Sequence, residues 1–115
     1  MYDRIDSVNS LLKREISRII RSDVKDPRLS TLTSVVSVET SRNLQNATVY
    51  VTIMGEEEEK VKTLKGLKSA GGFIQRSLRK NLDLRTIPSI RFLIDDSLDH
   101  AEQISDLLEK AKQNL

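Results

Sequence analysis

Residues Lys60 to Lys80, KVKTLKGLKSAGGFIQRSLRK, constrain the fold more than any other stretch, because two helical registers run through them at once. Val61, Leu64, Leu67, Gly71, Ile74, Leu78 and Leu82 step by three or four residues, the spacing of one apolar helix face. Lys65, Lys68, Gly72, Arg76 and Arg79 step the same way on a second face, and Lys80 follows Arg76 by one turn. Ala70-Gly71-Gly72 stands where the two faces meet. Each Gly in a helix interior costs about 1 kcal/mol relative to Ala, so an adjacent pair predicts a kink that is put to use. Gly71, on the apolar stripe, is expected to permit close packing against a sheet. Gly72, on the basic stripe, is expected to leave bare backbone among cations, open to a phosphate group. The simpler alternative is a kinked amphipathic helix whose lysine face is only solvated.

The flanking segments read as three strands and two further helices. Arg4 to Arg21 carries a helical stripe of Ile5, Val8, Leu12, Ile16, Ile19 and Ile20, with Asp3 as N-cap. Its Lys13, Arg14, Arg18 and Arg21, interrupted by Asp6 and Glu15, read as a solvated face. Pro27 forbids further helix, so Val24-Lys25-Asp26-Pro27-Arg28 is a turn, with Arg28 either part of it or a phosphate contact. Leu32 to Thr40 alternates as a strand, with Ser34, Val36 and Val38 on one face and Thr33, Val35 and Ser37 on the other. After a turn at 41–46, Ala47, Val49, Val51 and Ile53 alternate with Thr48, Tyr50, Thr52 and Met54 in the clearest strand of the chain, closed by Gly55. Glu56 to Glu59 suit the positive end of a helix dipole better than a metal site. Ser89 to Ile94 is a third strand, with Ile90, Phe92 and Ile94 inward. Asp95-Asp96 opens a last helix to about Gln113, with Ile104, Leu107, Leu108 and Ala111 as its apolar face and His100 exposed.

At 115 residues the whole chain, 1–115, is expected to be one α+β domain: a three-stranded sheet with helices packed on one face, in the order α-β-β-α-kink-α-β-α. Composition narrows the chemistry. There is no Cys and a single His, so no disulfide, thiolate catalysis or Cys-based zinc site is expected, nor any catalytic residue, metal or cofactor. No apolar run approaches a membrane span and no signal-peptide pattern opens the chain, so a cytoplasmic protein is expected. Aromatics make up only 3%, which leaves almost no platforms for base stacking. The net charge of +2 conceals sorting: residues 60–94 hold nine Lys or Arg against Asp83 alone, a net +8. Residues 95–115 come to −4, from six acids against Lys110 and Lys112, and residues 29–59 also come to −4. Charge sorted in this way draws polyanions to one side of a molecule.

Taken in order, several pieces resemble the bacterial ribosome-binding factor A family across essentially the full chain. They are Val24-Lys25-Asp26-Pro27-Arg28, the 47–54 strand ending in Gly55, Leu64-Lys65-Gly66-Leu67, Ala70-Gly71-Gly72-Phe73-Ile74, Leu84-Arg85, and Ile87-Pro88 leading to Phe92 and Asp95-Asp96-Ser97. The resemblance implies a KH-like (type II) domain in which an Ala-x-Gly kink between two helices replaces the usual GxxG loop. Ala70-Gly71-Gly72 fits that kink, with the departure that its middle residue is also Gly, so either glycine can be the hinge. The sequence ends soon after its last expected helix, so nothing attributed to a longer tail in relatives carries over. The resemblance further implies a monomeric, non-enzymatic assembly factor that binds the free small (30S) ribosomal subunit. Such a factor acts late in maturation of the 5′ region of 16S rRNA, leaves before translation, and is linked to growth in the cold.

On this reading Lys65, Lys68, Arg76, Arg79, Lys80 and Arg85 take phosphates, and Ala70, Gly71 and Gly72 let the RNA backbone approach. With so few aromatics, shape and backbone are read more than bases. Three other readings stay open. One is a general KH-type RNA-binding protein. Another is a protein-interaction adaptor that docks its acidic last helix on a basic partner. The third is an RNA-processing enzyme with Mg²⁺ on Asp95-Asp96, although those acids sit just before a helix, where capping explains them, and no convergent partner is evident.

Overall fold

The structure, a computed structural model, describes residues 4–24 and 33–95. Helix α1 (Arg4–Ser22) is followed by strands β1 (Thr33–Thr40) and β2 (Asn46–Ile53), helix α2 (Glu57–Asn81) and strand β3 (Ser89–Ile94). The Asp3 cap, the Asp26-Pro27 turn with Arg28, Asp96, and the last helix with His100 lie outside the described residues.

Strand β2 is the centre of the sheet, antiparallel to β1 and parallel to β3. A parallel partner requires a crossover, and α2 supplies it. Ala47, Val49, Val51 and Ile53 all face inward, and Phe92 meets them from β3. They share one core with Val8, Leu12, Ile16 and Ile19 of α1 and with Leu67, Ala70, Ile74 and Leu78 of α2. Both helices therefore cover the same face of the sheet. This is the expected α+β architecture, although among the described residues the order is α-β-β-α-β.

Two local expectations need correction. Strand β1 does not alternate throughout, because its register shifts between Val35 and Ser37. The inserted residue of this bulge turns the side-chain alternation over, so Val35 and Val38 both reach the core while Val36 faces out. Where the glycine pair predicts two separate helices, α2 runs through Ala70-Gly71-Gly72 as one helix without a break. Neither Gly71 nor Gly72 takes a positive φ, so neither is a left-handed hinge. Burial explains why the helix survives its glycines. Enclosing Leu67, Ile74 and Leu78 contributes about 1.5–3 kcal/mol each, which outweighs the roughly 2 kcal/mol lost at the pair.

The turns follow their residues. Asn43 Oδ1 accepts from the Ser41 hydroxyl at 2.6 Å and from the Gln45 amide at 3.1 Å, while the Ser41 amide donates to the Asn46 carbonyl at 2.8 Å. Leu44 adopts φ 61° there and packs its side chain against the core. Gly55 has φ 143°, a conformation that residues with side chains rarely adopt, so glycine is the residue that closes β2 this way. Glu57, Glu58 and Glu59 occupy the first turn of α2, where they oppose the helix dipole.

Candidate nucleic-acid interface

The buried side of α2 runs through Thr63, Gly66, Leu67, Ala70, Ile74 and Leu78. Leu67, Ile74 and Leu78 are buried as expected, and Leu64 and Leu82 pack against the core, but Ala70 is buried at 9% exposure whereas Val61 is 49% exposed. Ala70 thus lies in the core, and its side chain is not on the surface. Gly71 is half-buried, yet a Cβ there would meet nothing within 4 Å. The expected close packing of Gly71 against the sheet is therefore absent; it sits at the margin of the contact, not inside it.

Lys65, Lys68, Gly72, Arg76, Arg79 and Lys80 are all exposed, on the side of α2 turned away from the core. A Cβ on Gly72 would stand 3.4 Å from Arg76 Nη1. Side chains of a helix lean toward its N-terminus, so the Arg76 guanidinium lies back over the bare Gly72 backbone. Arg85 is exposed in the connection after α2, where Leu82, Leu84 and Ile87 turn toward the core and leave it outside. No ion pair among the described residues engages Arg76, Arg79 or Lys80.

Arg76 and Lys80 also border an open groove of about 480 Å³ between the second half of α2 and the end of α1. Helix α2 adds Phe73, Ser77 and Asn81 to its lining, and Arg18 and Asp23 line it from the α1 side. Arg18 donates to Glu15 at 2.9 and 3.0 Å and to Asp23 at 3.3 Å. The hydrogen bond to Glu15, and after it the charges of Glu15 and Asp23, hold the Arg18 guanidinium above its ordinary pKa, while partial burial acts the other way. Asn81 Nδ2 reaches the same Glu15 oxygen at 3.5 Å, which ties the two helices together at this end.

Spacing alone missed Arg18 and Phe73 as members of this surface. The signal was present on α2, since Phe73, Arg76, Ser77 and Lys80 step by three and four residues along one flank. Which flank would face α1 depends on how the helices pack, and that is absent from periodicity. Among the described residues, no group of three or more His, Cys, Asp or Glu gathers as a metal site would require. No helix among them is long and apolar enough to cross a membrane.

Known proteins resemble the chain over most of its length. A family model described as ribosome-binding factor A matches residues 4–108. A ribosome-binding factor A from Acetivibrio thermocellus is 45% identical over 113 residues, spanning 97% of this chain and 92% of that protein. One from Agathobacter rectalis is 42% identical over 108 residues, 94% of this chain and 89% of the relative. The crystal structure of ribosome-binding factor A from Thermus thermophilus superposes with a TM-score of 0.69 at 29% identity, covering 81% of this chain and 97% of that one. A homology model of the Thermus thermophilus protein, fitted into a cryo-electron microscopy map of its complex with the 30S subunit, gives 0.62 at 28% identity, over 76% and 91% of the chains.

Proposed function

This chain belongs to the ribosome-binding factor A family, and from that premise we propose that it is a cytoplasmic, monomeric assembly factor. It binds the free 30S subunit and assists late maturation of the 5′ region of 16S rRNA. Lys65, Lys68, Arg76, Arg79, Lys80 and Arg85 neutralise rRNA phosphates, and Gly72, with no side chain, leaves room for the Arg76 guanidinium to lie along the helix and meet them. In this reading the α1–β1–β2–α2–β3 arrangement is a KH-like domain, and the continuous α2 carries its RNA-facing element without a break. The protein catalyses no bond change. It biases an rRNA conformation by binding one form more tightly than another, and a difference in affinity is sufficient for that.

The observation that carries the proposal is the opposition of two faces on α2. One helix buries Leu67, Ile74 and Leu78 and turns a row of unpaired cations outward. A helix that needs only solubility has no use for a row of one sign, because like charges at i,i+4 spacing weaken it slightly. The 30S complex described for the Thermus thermophilus protein supports the choice of partner.

Co-sedimentation tests the proposal. The protein should travel with free small subunits and be largely absent from large subunits and assembled ribosomes. Equal association with all three would reduce the reading to general RNA binding, and no association with small subunits would end it.

A further inference from the structure

We infer that the groove between α1 and α2 receives one unstacked nucleotide of single-stranded RNA, its base lying on the Phe73 ring and its phosphates held by Arg76 and Lys80. This deepens the proposed rRNA-binding role and rests on it. The chain has two Phe, two Tyr and no Trp, and Phe92 is spent on the core. Among the described residues, Phe73 is the aromatic found with the exposed large apolar side chains, 41% open to solvent. Scattered exposed apolar residues are ordinary and need no explanation. Phe73 differs in its surroundings, a groove with two unpaired cations on the same helix flank, one and two turns onward.

Charge and size both favour this occupant. The acids nearby, Glu15 and Asp23, are already engaged by Arg18, which blunts their repulsion of an incoming phosphate. Arg76 and Lys80 keep their charge for a ligand. A volume of about 480 Å³ lies within the range of small-molecule sites, the scale of a single nucleotide. Ser77 adds a hydroxyl to the same lining, and Asn81, whose Nδ2 reaches Glu15, adds its amide oxygen, both able to meet polar base edges. A base within a duplex is stacked on its neighbours and cannot lie on Phe73, so the slot selects an unpaired nucleotide. The outer stripe of Lys65, Lys68 and Arg79 makes no such distinction.

The absence of tryptophan supplies a clean probe. Phe73→Trp introduces a single indole, whose emission should be quenched when a short mixed-sequence single-stranded RNA is added, and not by the same strand annealed to its complement. Phe73→Leu keeps apolar bulk but removes the ring. It should weaken single-strand binding about 5- to 100-fold, the usual loss for one stacked base, with duplex binding changed less than about twofold and the melting temperature unchanged. Phe73→Tyr should bind as the parent does. If the parent fails to bind small subunits, the wider functional reading falls and this inference with it. If the parent binds and Phe73→Leu binds single strands equally well, or the Trp variant shows no quenching at saturating RNA, the inference alone is overturned. A Trp signal seen with small subunits but not with RNA would assign the groove to a ribosomal protein instead, and would also overturn it.

Discussion

A Cβ placed on Gly55 runs into the Glu59 carboxylate, one placed on Gly71 meets open space, and one on Gly72 touches only the end of Arg76. These three glycines therefore predict three different outcomes. The exposed Glu59 side chain can swing aside, but Gly55→Ala would hold a side chain at a φ of 143° and should lower stability by about 1–3 kcal/mol in a denaturant titration. Gly71→Ala removes only helix-interior flexibility and should raise stability by about 0.5–1 kcal/mol. A fall in stability there would mean that Gly71 packs against something after all. Gly72→Glu puts a carboxylate one turn before Arg76, the favourable order for an i,i+4 pair worth about 0.2–0.5 kcal/mol. Its melting temperature should match or exceed that of the parent. Binding to small subunits should still weaken, because the new acid neutralises Arg76 and repels phosphate. A stable Gly72→Glu protein with full binding would remove this end of α2 from the RNA interface.

The legible parts of each element were those that burial makes periodic. In α1 the stripe of Val8, Leu12, Ile16 and Ile19 is buried as its spacing implies, and in β2 every expected inward residue is enclosed. The basic stripe of α2 was legible for the same reason, since solvent imposes a period as strictly as the core does. The apolar stripe of α2 holds at Leu64, Leu67, Ile74, Leu78 and Leu82 and departs only at Val61 and Gly71. Val61 and Gly71 fit a helix face as well as Thr63 and Ala70 do, and hydropathy favours the valine, so only the packing of α2 on β3 and α1 decides between them. The bulge in β1 was hidden because Val35, Val36 and Val38 are interchangeable in pattern. Propensity favours a break at the glycine pair, yet the burial of Leu67, Ile74 and Leu78 holds the helix through both glycines. At this scale the test is the stripe as a unit. Changing Lys65, Lys68, Arg76 and Lys80 together to Ala touches exposed positions, so the melting temperature should move little. Small-subunit affinity should fall by at least tenfold. Parental affinity in that variant would move the interface to the α1 face, where Lys13, Arg14 and Arg21 are also exposed.

Across the whole molecule, charge is sorted more sharply than the net +2 suggests, with +8 in residues 60–94. A positive region of this kind attracts phosphate over distances set by ionic strength, with a screening length of about 8–10 Å near physiological salt. Binding that draws on it releases counterions, so the logarithm of affinity should fall linearly with the logarithm of salt concentration. Six exposed cations were assigned to phosphates, and the groove takes Arg76 and Lys80 for a single nucleotide, which leaves roughly five independent contacts. At about 0.7–0.9 of slope per contact, the expected slope is near −4. The fourfold Ala variant removes the lysines and arginine at 65, 68, 76 and 80, which include both groove cations, and should retain a slope of only about −1 to −2, from Arg79 and Arg85. Phe73→Leu should instead lower affinity at every salt concentration with the slope unchanged, because stacking releases no ions. Parallel titrations of the three proteins therefore separate the charged stripe from the aromatic slot. A Phe73→Leu line that converges on the parent at high salt would mean that its effect is electrostatic, and that the ring does no more than hold the cations in place.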